Sequence, residues 1–284
     1  MANTDSKTPA VQAHVLYDNE VIETKIEELL ESNVDVRVLM TIDNSLVGVA
    51  GDKKTVNTYD YAGTIEKLGR GQGNTVSGKV SYTSESKEIE LFQSNFSYYD
   101  EDVRRDPMVV EVGLKGIKAD FINDLQDKFY AEVAKATNEV ELESAEAAFT
   151  YDDVVDAIAE MEGVNDLSGV TVENENGLFI LAGKEFKKDI RKDDAFKAAE
   201  QGQMLFSGNF GSVAGLPIIY SNKIGDKEAY VMTKEAVKML VKKELEVEQE
   251  RSANHRRNDI YMRNIHLVYL ADNTKIVKIS KPEV

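Results

Sequence analysis

Residues 54–99 constrain the fold most. Two extended arms, 54–67 and 79–93, flank a tip that carries Gly69, Gly71, Gly73 and Gly78. In the second arm, KVSYTSESKEIELFQ, Val80 and Tyr82 and then Ile89 and Leu91 are spaced by two, with mostly polar residues between the pairs. A period of two is that of a strand, so the segment reads as a long β-hairpin with little to bury. An arm of about 14 residues at ~3.3 Å each spans roughly 46 Å, whereas a compact chain of this length has a radius of gyration near ~19 Å. Two-stranded hairpins are marginal in water and their edges invite pairing. The economical cover is another copy of the same chain. Head-to-tail docking of a projecting element gives rings, and rings can tile closed shells.

The tip also poses a chemical question. From Gly73 it reads Gly-x-x-x-x-Gly-Lys-Val, one residue from a phosphate-binding loop. Such a loop needs a buried strand before it, a helix after it and a Ser or Thr following the Lys. Val80 stands at the last position, TIEKLGR is not a buried strand, and the residues after Lys79 alternate without helical period. Glycines of a hairpin tip are the better account.

Composition narrows the function further. Acidic residues outnumber basic ones 51 to 34, a net charge of −17, which opposes binding along a phosphate backbone and favours solubility at high copy number. With no cysteine, disulfides, thiolate catalysis and Cys-ligated metals are excluded. No apolar run approaches the ~20 residues of a membrane span, and the start MANTDSKTPAVQAH lacks a signal-peptide layout. The three histidines, His14, His255 and His266, have no ligand partner at metal spacing, and no Gly-x-Ser-x-Gly elbow exists. Carboxylate pairs such as Asp152/Asp153 and Glu88/Glu90 suit a solvated face in so acidic a chain. The basic runs KEFKKDIRK and NHRR suit local ion pairing. The residues yield no catalytic, cofactor or metal site.

The remaining pattern is α+β. Residues 1–19 read as a polar arm, 20–32 as an amphipathic helix and Val34 to Met40 as a short strand. Over 113–136, Leu114, Ile117, Phe121, Leu125, Phe129 and Val133 recur every three or four positions, which predicts the longest helix. TYDDVVDAIAEM starts another, with Thr150 or Asp152 as N-cap. GLFILAG reads as a buried strand and KEFKKDIRKD as a solvated helix. Gly208, Gly211, Gly215 and Pro217 precede an apolar strand, and 258–280 reads as two strands around an Asp-Asn turn.

Five segments in order carry a resemblance to the major capsid proteins of tailed bacteriophages, the Hong Kong ninety-seven-like fold. YDYAGTIEKLGRGQGNTVSGKVSYT resembles that family's E-loop, and GIKADFINDLQDKFYAEVAKA its spine helix. TYDDVVDAIAEM resembles the helix entering the axial A-domain, and the run from GNFGSVAGLPIIY to VEQER the A-domain strands and the return to the peripheral P-domain. HLVYLADNTKIVKIS resembles the closing strands. The resemblance implies an N-terminal arm with short helix and strand over 1–53, an E-loop over 54–99, and a P-domain with spine helix over 100–149. It implies an A-domain over 150–243 and a C-terminal return to the P-domain over 244–284.

It further implies a structural protein of the virion, assembled in the host cytoplasm through pentamers and hexamers into an icosahedral shell around double-stranded DNA, with no sequence-specific contact to the genome. Lys67, Arg70, Gly71, Gly73, Lys79, Glu88 and Glu90 of the E-loop would lie at the subunit interface. Some members cross-link an E-loop lysine to an asparagine; Lys67 and Lys79 are nearest the tip, and ordinary ion pairing is the alternative. About 50 residues precede the loop, fewer than in members that carry their own scaffolding segment. A separate scaffolding protein is therefore expected, together with a portal and with decoration or head-tail connector proteins. Two other readings remain: a shell of the same fold serving as an encapsulin-type nanocompartment, and a P-loop-like nucleotide hydrolase.

Overall fold

The computed structural model describes residues 36–106, 108–163, 177–192 and 212–282. The expected arm, the 20–32 helix, His14, Gly208 and Gly211 lie outside them. The described residues form two compact units. One comprises the described residues of 93–122 and 245–264; the other comprises those of 36–92, 123–163, 177–192, 212–244 and 265–282.

The described residues begin with a 3-10 turn at Val36–Leu39 and β1 at Thr41–Asp43. The strand expected over Val34–Met40 is thus a turn where it is described, and extended backbone starts only at Thr41. Val36 and Leu39, three apart, are both buried, which a 3-10 repeat achieves and alternation cannot. Next come β2 (Lys53–Ala62), β3 (Lys79–Glu88) and β4 (Glu90–Tyr99). The longest helix, Met108–Val133, starts five residues before its expected position, directly after Pro107 in sequence, and ends in tight turns over Ala134–Ala136.

In the larger unit, six strands take the order β5-β12-β9-β6-β8-β7: Glu139–Glu141, Ile276–Ser280, Glu228–Thr233, Leu178–Ala182, Leu216–Tyr220 and Ser212–Val213. Alternation divides their side chains between two cores. Ile180, Ala182, Ala229, Val231, Val277 and Ile279 pack with Val154 and Ala157 of helix Tyr151–Gly163 and with Phe186 and Ile190 of helix Lys184–Ile190. Phe179, Leu181, Tyr230, Met232 and Ile276 pack on the other side with Phe129, Val133, Val36 and Leu39. A sheet covered on both faces needs strands that are apolar throughout, which is why FILA and YVM read as unbroken runs.

Helix Lys184–Ile190, expected to be solvated, is so on one side only; Phe186, Asp189 and Ile190 are buried. Thr150 caps helix Tyr151–Gly163: its hydroxyl accepts from the Asp153 N–H at 3.4 Å, and the Asp153 carboxylate accepts from the Thr150 N–H at 2.7 Å. β7 and β8 join through Ala214 (φ 50°) and Gly215 (φ 78°), a two-residue turn with both positions left-handed.

β10 (Val237–Ser252) and β11 (Arg257–Leu270) belong to a second sheet, ordered β1-β10-β11-β4. The closing strands β11 and β12 therefore do not pair with each other. Asp272 caps a 3-10 turn at Asn273–Lys275 that carries the chain from one sheet to the other.

The smaller unit has its own core of Tyr98, Val110, Leu114, Ile117, Val247, Ile260 and Met262. Gly113 sits inside a helix because a Cβ there would lie 2.3 Å from the Phe96 ring. At the β10–β11 turn, buried Asp100 accepts from Asn258 at 3.0 Å and from Arg251 at 3.1 Å, and Arg257 Nε lies 3.0 Å from Asp259. Arg256 pairs with Glu101 at 3.0 Å, so the NHRR turn is occupied by local ion pairs.

Candidate functional site: the projecting hairpin

β2 and β3 pair only with each other, in a two-stranded antiparallel sheet whose register runs from Lys53↔Glu88 to Ala62↔Lys79. Each arm has ten residues, about 33 Å at ~3.3 Å per residue. That is shorter than the sequence suggested, because residues 63–78 form an irregular tip and the chain beyond Ile89 joins the other sheet as β4. Every residue of β3 is exposed except half-buried Lys87.

The register gives the hairpin two unlike faces. One presents the cross-strand pairs Lys53/Glu88, Thr55/Ser86, Asn57/Ser84, Tyr59/Tyr82 and Tyr61/Val80. Lys53 and Glu88 form an ion pair at 2.9 Å, the Ser84 hydroxyl donates to Asn57 Oδ1 at 2.7 Å, and the Tyr59 and Tyr82 ring centroids lie 6.1 Å apart. This face is thus polar at the root and aromatic towards the tip. Tyr59, Tyr61, Val80 and Tyr82 are all more than half exposed. The other face presents Lys54/Lys87, Val56/Glu85 and Thr58/Thr83.

The root is anchored by charge. Lys54 Nζ donates to the Asp43 carboxylate and to the Ser45 hydroxyl, the latter at 2.6 Å. Burial pushes the Asp43 carboxyl up, but the hydrogen bonds from Lys54 and Ser45 outweigh it and hold it at about 2. Lys242 Nζ lies 3.0 Å from the Gly51 carbonyl and pairs with Asp52, whose carbonyl accepts from the Ile89 N–H at 2.9 Å. Lys87 pairs with Glu85 at 2.7 Å and lies 5.4 Å from the Tyr269 ring centroid. Ile89 and Tyr269 close a small core with Leu46 and Leu240 beneath.

The tip is organised differently. The Glu66 carboxylate accepts from both the N–H and the hydroxyl of Thr75 at 2.9 Å, which ties its two sides together and holds the Glu66 carboxyl below the usual range. Sequence reasoning missed Glu66; the partners are nine residues apart and no local period links them. Gly71 has φ +86°, a left-handed position that glycine adopts without strain. Gly63 and Gly78 face the Tyr61 hydroxyl, which lies 2.3 Å from where either Cβ would be, so the ring crosses the neck of the tip.

Of the residues singled out from the sequence, Lys67, Arg70, Gly71 and Gly73 lie in the tip and Lys79 opens β3; all are exposed. Glu88 closes β3 in its ion pair with Lys53, and Glu90 begins β4. Lys79 thus follows an irregular loop and starts a strand, which is not the strand–loop–helix setting of a phosphate cradle. His266 is buried in β11 with its ring centroid 4.7 Å from that of Phe92, and burial and the nearby Lys128 push its pKa down to about 4. His255 sits in an exposed turn, its Nδ1 3.0 Å from the Ser252 hydroxyl. Among the described residues no group of His, Asp and Glu could hold a metal ion, and no helix is long and apolar enough to cross a membrane.

No protein-family model matches the sequence. The chain is 23% identical over 271 residues to the major capsid protein of Staphylococcus phage phiMR11, covering 92% of both chains. Its fold is similar to the mature capsid of bacteriophage PhiM1, with a TM-score of 0.66, 11% identity and coverage of 89% and 88%. It is also similar to the virus-like particle from Pyrococcus furiosus, with a TM-score of 0.57, 10% identity and coverage of 92% and 98%. The order of segments, the bare hairpin, the long helix and these likenesses agree: the chain has the Hong Kong ninety-seven-like fold, as the similar capsid structures do.

Proposed function

We propose that copies of this chain form pentamers and hexamers that close an icosahedral shell around double-stranded DNA, and that the hairpin is the element by which each copy holds the next. The observation that carries this reading is the hairpin itself. It exposes nearly all of both strands and an aromatic face that nothing within the described chain covers. The capsid protein of Staphylococcus phage phiMR11, similar along almost its whole length, supports it. On this reading residues 54–99 are the E-loop, the helix Met108–Val133 is the spine, 150–243 is the A-domain, and 100–149 with 244–284 make the P-domain. Within residues 1–53, which also hold a short helix and strand, the N-terminal arm reaches a further neighbour. Lys67, Arg70, Gly71, Gly73, Lys79, Glu88 and Glu90 face the adjacent copy. The role is structural and not enzymatic. Assembly takes place in the host cytoplasm with a separate scaffolding protein and a portal, and the finished shell accepts decoration or connector proteins.

The test is deletion of residues 66–80, read by negative-stain electron microscopy and sedimentation beside the unaltered chain. A variant with an unchanged unfolding curve but no closed particles supports the reading; normal closed particles overturn it. The fold is also similar to that of a virus-like particle from Pyrococcus furiosus, so the rival reading is an encapsulin-type compartment of the same fold. Contents decide there: nucleic acid inside particles from infected cells supports the phage reading, and a bound enzyme the compartment.

A further inference from the structure

Three cations stand at the end of the hairpin. Lys67, Arg70 and Lys79 make no ion pair among the described residues, and the only acid within the tip, Glu66, is engaged by Thr75. Root lysines Lys53, Lys54 and Lys87, by contrast, each have a carboxylate partner. Lys67 and Arg70 lie beyond the end of an aromatic strip, Tyr59, Tyr61, Val80 and Tyr82, confined to one face by the register, whereas Lys79, opposite Ala62, belongs to the other face.

Helix Tyr151–Gly163 carries the complement. Its inner side is buried through Val154 and Ala157. Its outer side has two parallel ridges at a spacing of four: apolar Tyr151, Val155 and Ala159, and acidic Asp152, Asp156 and Glu160, all exposed. None of these three acids makes an ion pair among the described residues. The repeats also match. Residues on one face of a strand recur every ~6.6 Å, and residues four apart on a helix every ~6 Å, so a strand laid along this helix keeps side chains in step for several positions.

We infer that the hairpin docks by its Tyr59/Tyr82 face, not its Thr58/Thr83 face, along the outer side of helix Tyr151–Gly163 of a second copy, with Lys67 and Arg70 against the acidic ridge. This rests on the shell reading above and names the surface that receives the hairpin. The occupant is a second copy because the docking strip is both apolar and acidic, and the chain as a whole, at −17, supplies the carboxylates that an unpaired cationic tip requires.

The absence of cysteine allows a direct test. Full-length chain carrying Val80→Cys and Val155→Cys is treated with a mild oxidant and run on a non-reducing gel. Thr83→Cys with Val155→Cys serves as the opposite-face control, since a disulfide forms only when the Cα atoms come within about 7 Å. The expected result is a ladder of linked multimers from the first pair and monomer from the second. Adding Lys67→Glu and Arg70→Glu to the first pair should abolish the ladder, and adding Asp152→Lys and Asp156→Lys should restore it. Equal ladders from both pairs, or no ladder from either, overturn the inference. Sizing before oxidation separates the two claims. Particles or capsomer-sized rings without a ladder overturn only this docking surface, whereas monomer throughout, including the unaltered chain, overturns the shell reading with it.

Discussion

Lys281 and Asp189 form an ion pair away from water: Nζ lies 2.8 Å from the carboxylate, with side chains 5% and 7% exposed. The same ammonium lies 3.2 Å from Glu185 and 4.6 Å from the Phe149 ring centroid, and Asp189 accepts from the Phe149 N–H at 3.4 Å. A residue at the end of the described chain thereby pins the short helix Lys184–Ile190, 92 positions away in sequence. Removing one partner leaves the other charge buried. Lys281→Met should cost about 3–5 kcal/mol in urea unfolding, and the double variant Lys281→Met/Asp189→Leu much less. Burial raises the Asp189 pKa, but the hydrogen bond and charge of Lys281 lower it more, so the net direction is down. The stability from this pair is therefore fully present above the ordinary aspartate range and is lost as pH falls through the depressed value.

His266 predicts a second pH effect in a different window. Burial, and then Lys128, depress its pKa from 6.5 to about 4, against a smaller opposing effect of Asp124. The unfolded chain binds a proton at pH 6.5 that the folded chain refuses until about pH 4. Stability should therefore fall as pH drops through that interval, by roughly 3 kcal/mol, and then level off for this group. His266→Leu should flatten the urea midpoint between pH 6.5 and 4.5. A midpoint that declines as steeply in the variant would assign the effect to other groups.

Gly183→Ala should be among the costliest small substitutions. The added Cβ would lie 2.3 Å from the Gly225 carbonyl oxygen and 2.9 Å from that of Glu228, and neither can move without breaking the turn that holds it. Gly183 N–H also donates to Glu228 at 3.0 Å. The expected loss is about 2–3 kcal/mol, read as a lower unfolding temperature. An unchanged temperature would show that this turn yields.

Thr150→Ala should cost about 1 kcal/mol, because the Asp153 N–H loses its acceptor while Asp153 keeps its bond to the Thr150 N–H. Thr150→Ser should recover most of it. Faster hydrogen exchange confined to the first turn of helix Tyr151–Gly163 would locate the effect.

Local signals were readable from the sequence where local physics sets the structure. The alternation of Val80 and Tyr82 marks β3, the three-and-four spacing from Leu114 to Val133 marks the long helix, and Thr150 marks a cap. Strand pairing beyond the β2–β3 hairpin was not readable. β11 and β12 are neighbours in sequence and would by default form a hairpin, but β12 pairs with β9 and β5 instead. Val36–Leu39 alternates like a strand, yet packing in a long-range core makes it a turn. The burial of Asp189 could not be inferred either, because its partner lies 92 residues away. In the hairpin, the cationic residues Lys67, Arg70 and Lys79 were visible, but the aromatic face, and the placing of Lys79 on the opposite one, emerge only from the register that sets Tyr59 against Tyr82 and Ala62 against Lys79.

In a sheet of two strands both strands are edges, so β2 and β3 each leave one row of backbone donors and acceptors unpaired over ten residues. Such a row is a template for any extended chain. Lys53 and Lys54 at one end of β2, and Lys79 and Lys87 near the two ends of β3, place charge beside those rows, while the Ser and Thr residues between them keep the rows hydrated. On the proposed shell reading, newly synthesised subunits must therefore stay dispersed at the concentrations a growing particle demands. Neutralising these lysines would bring the threshold for fibrous precipitation down towards the threshold for building particles, so the usable range of subunit concentration is set in part by the charge along a hairpin's rim.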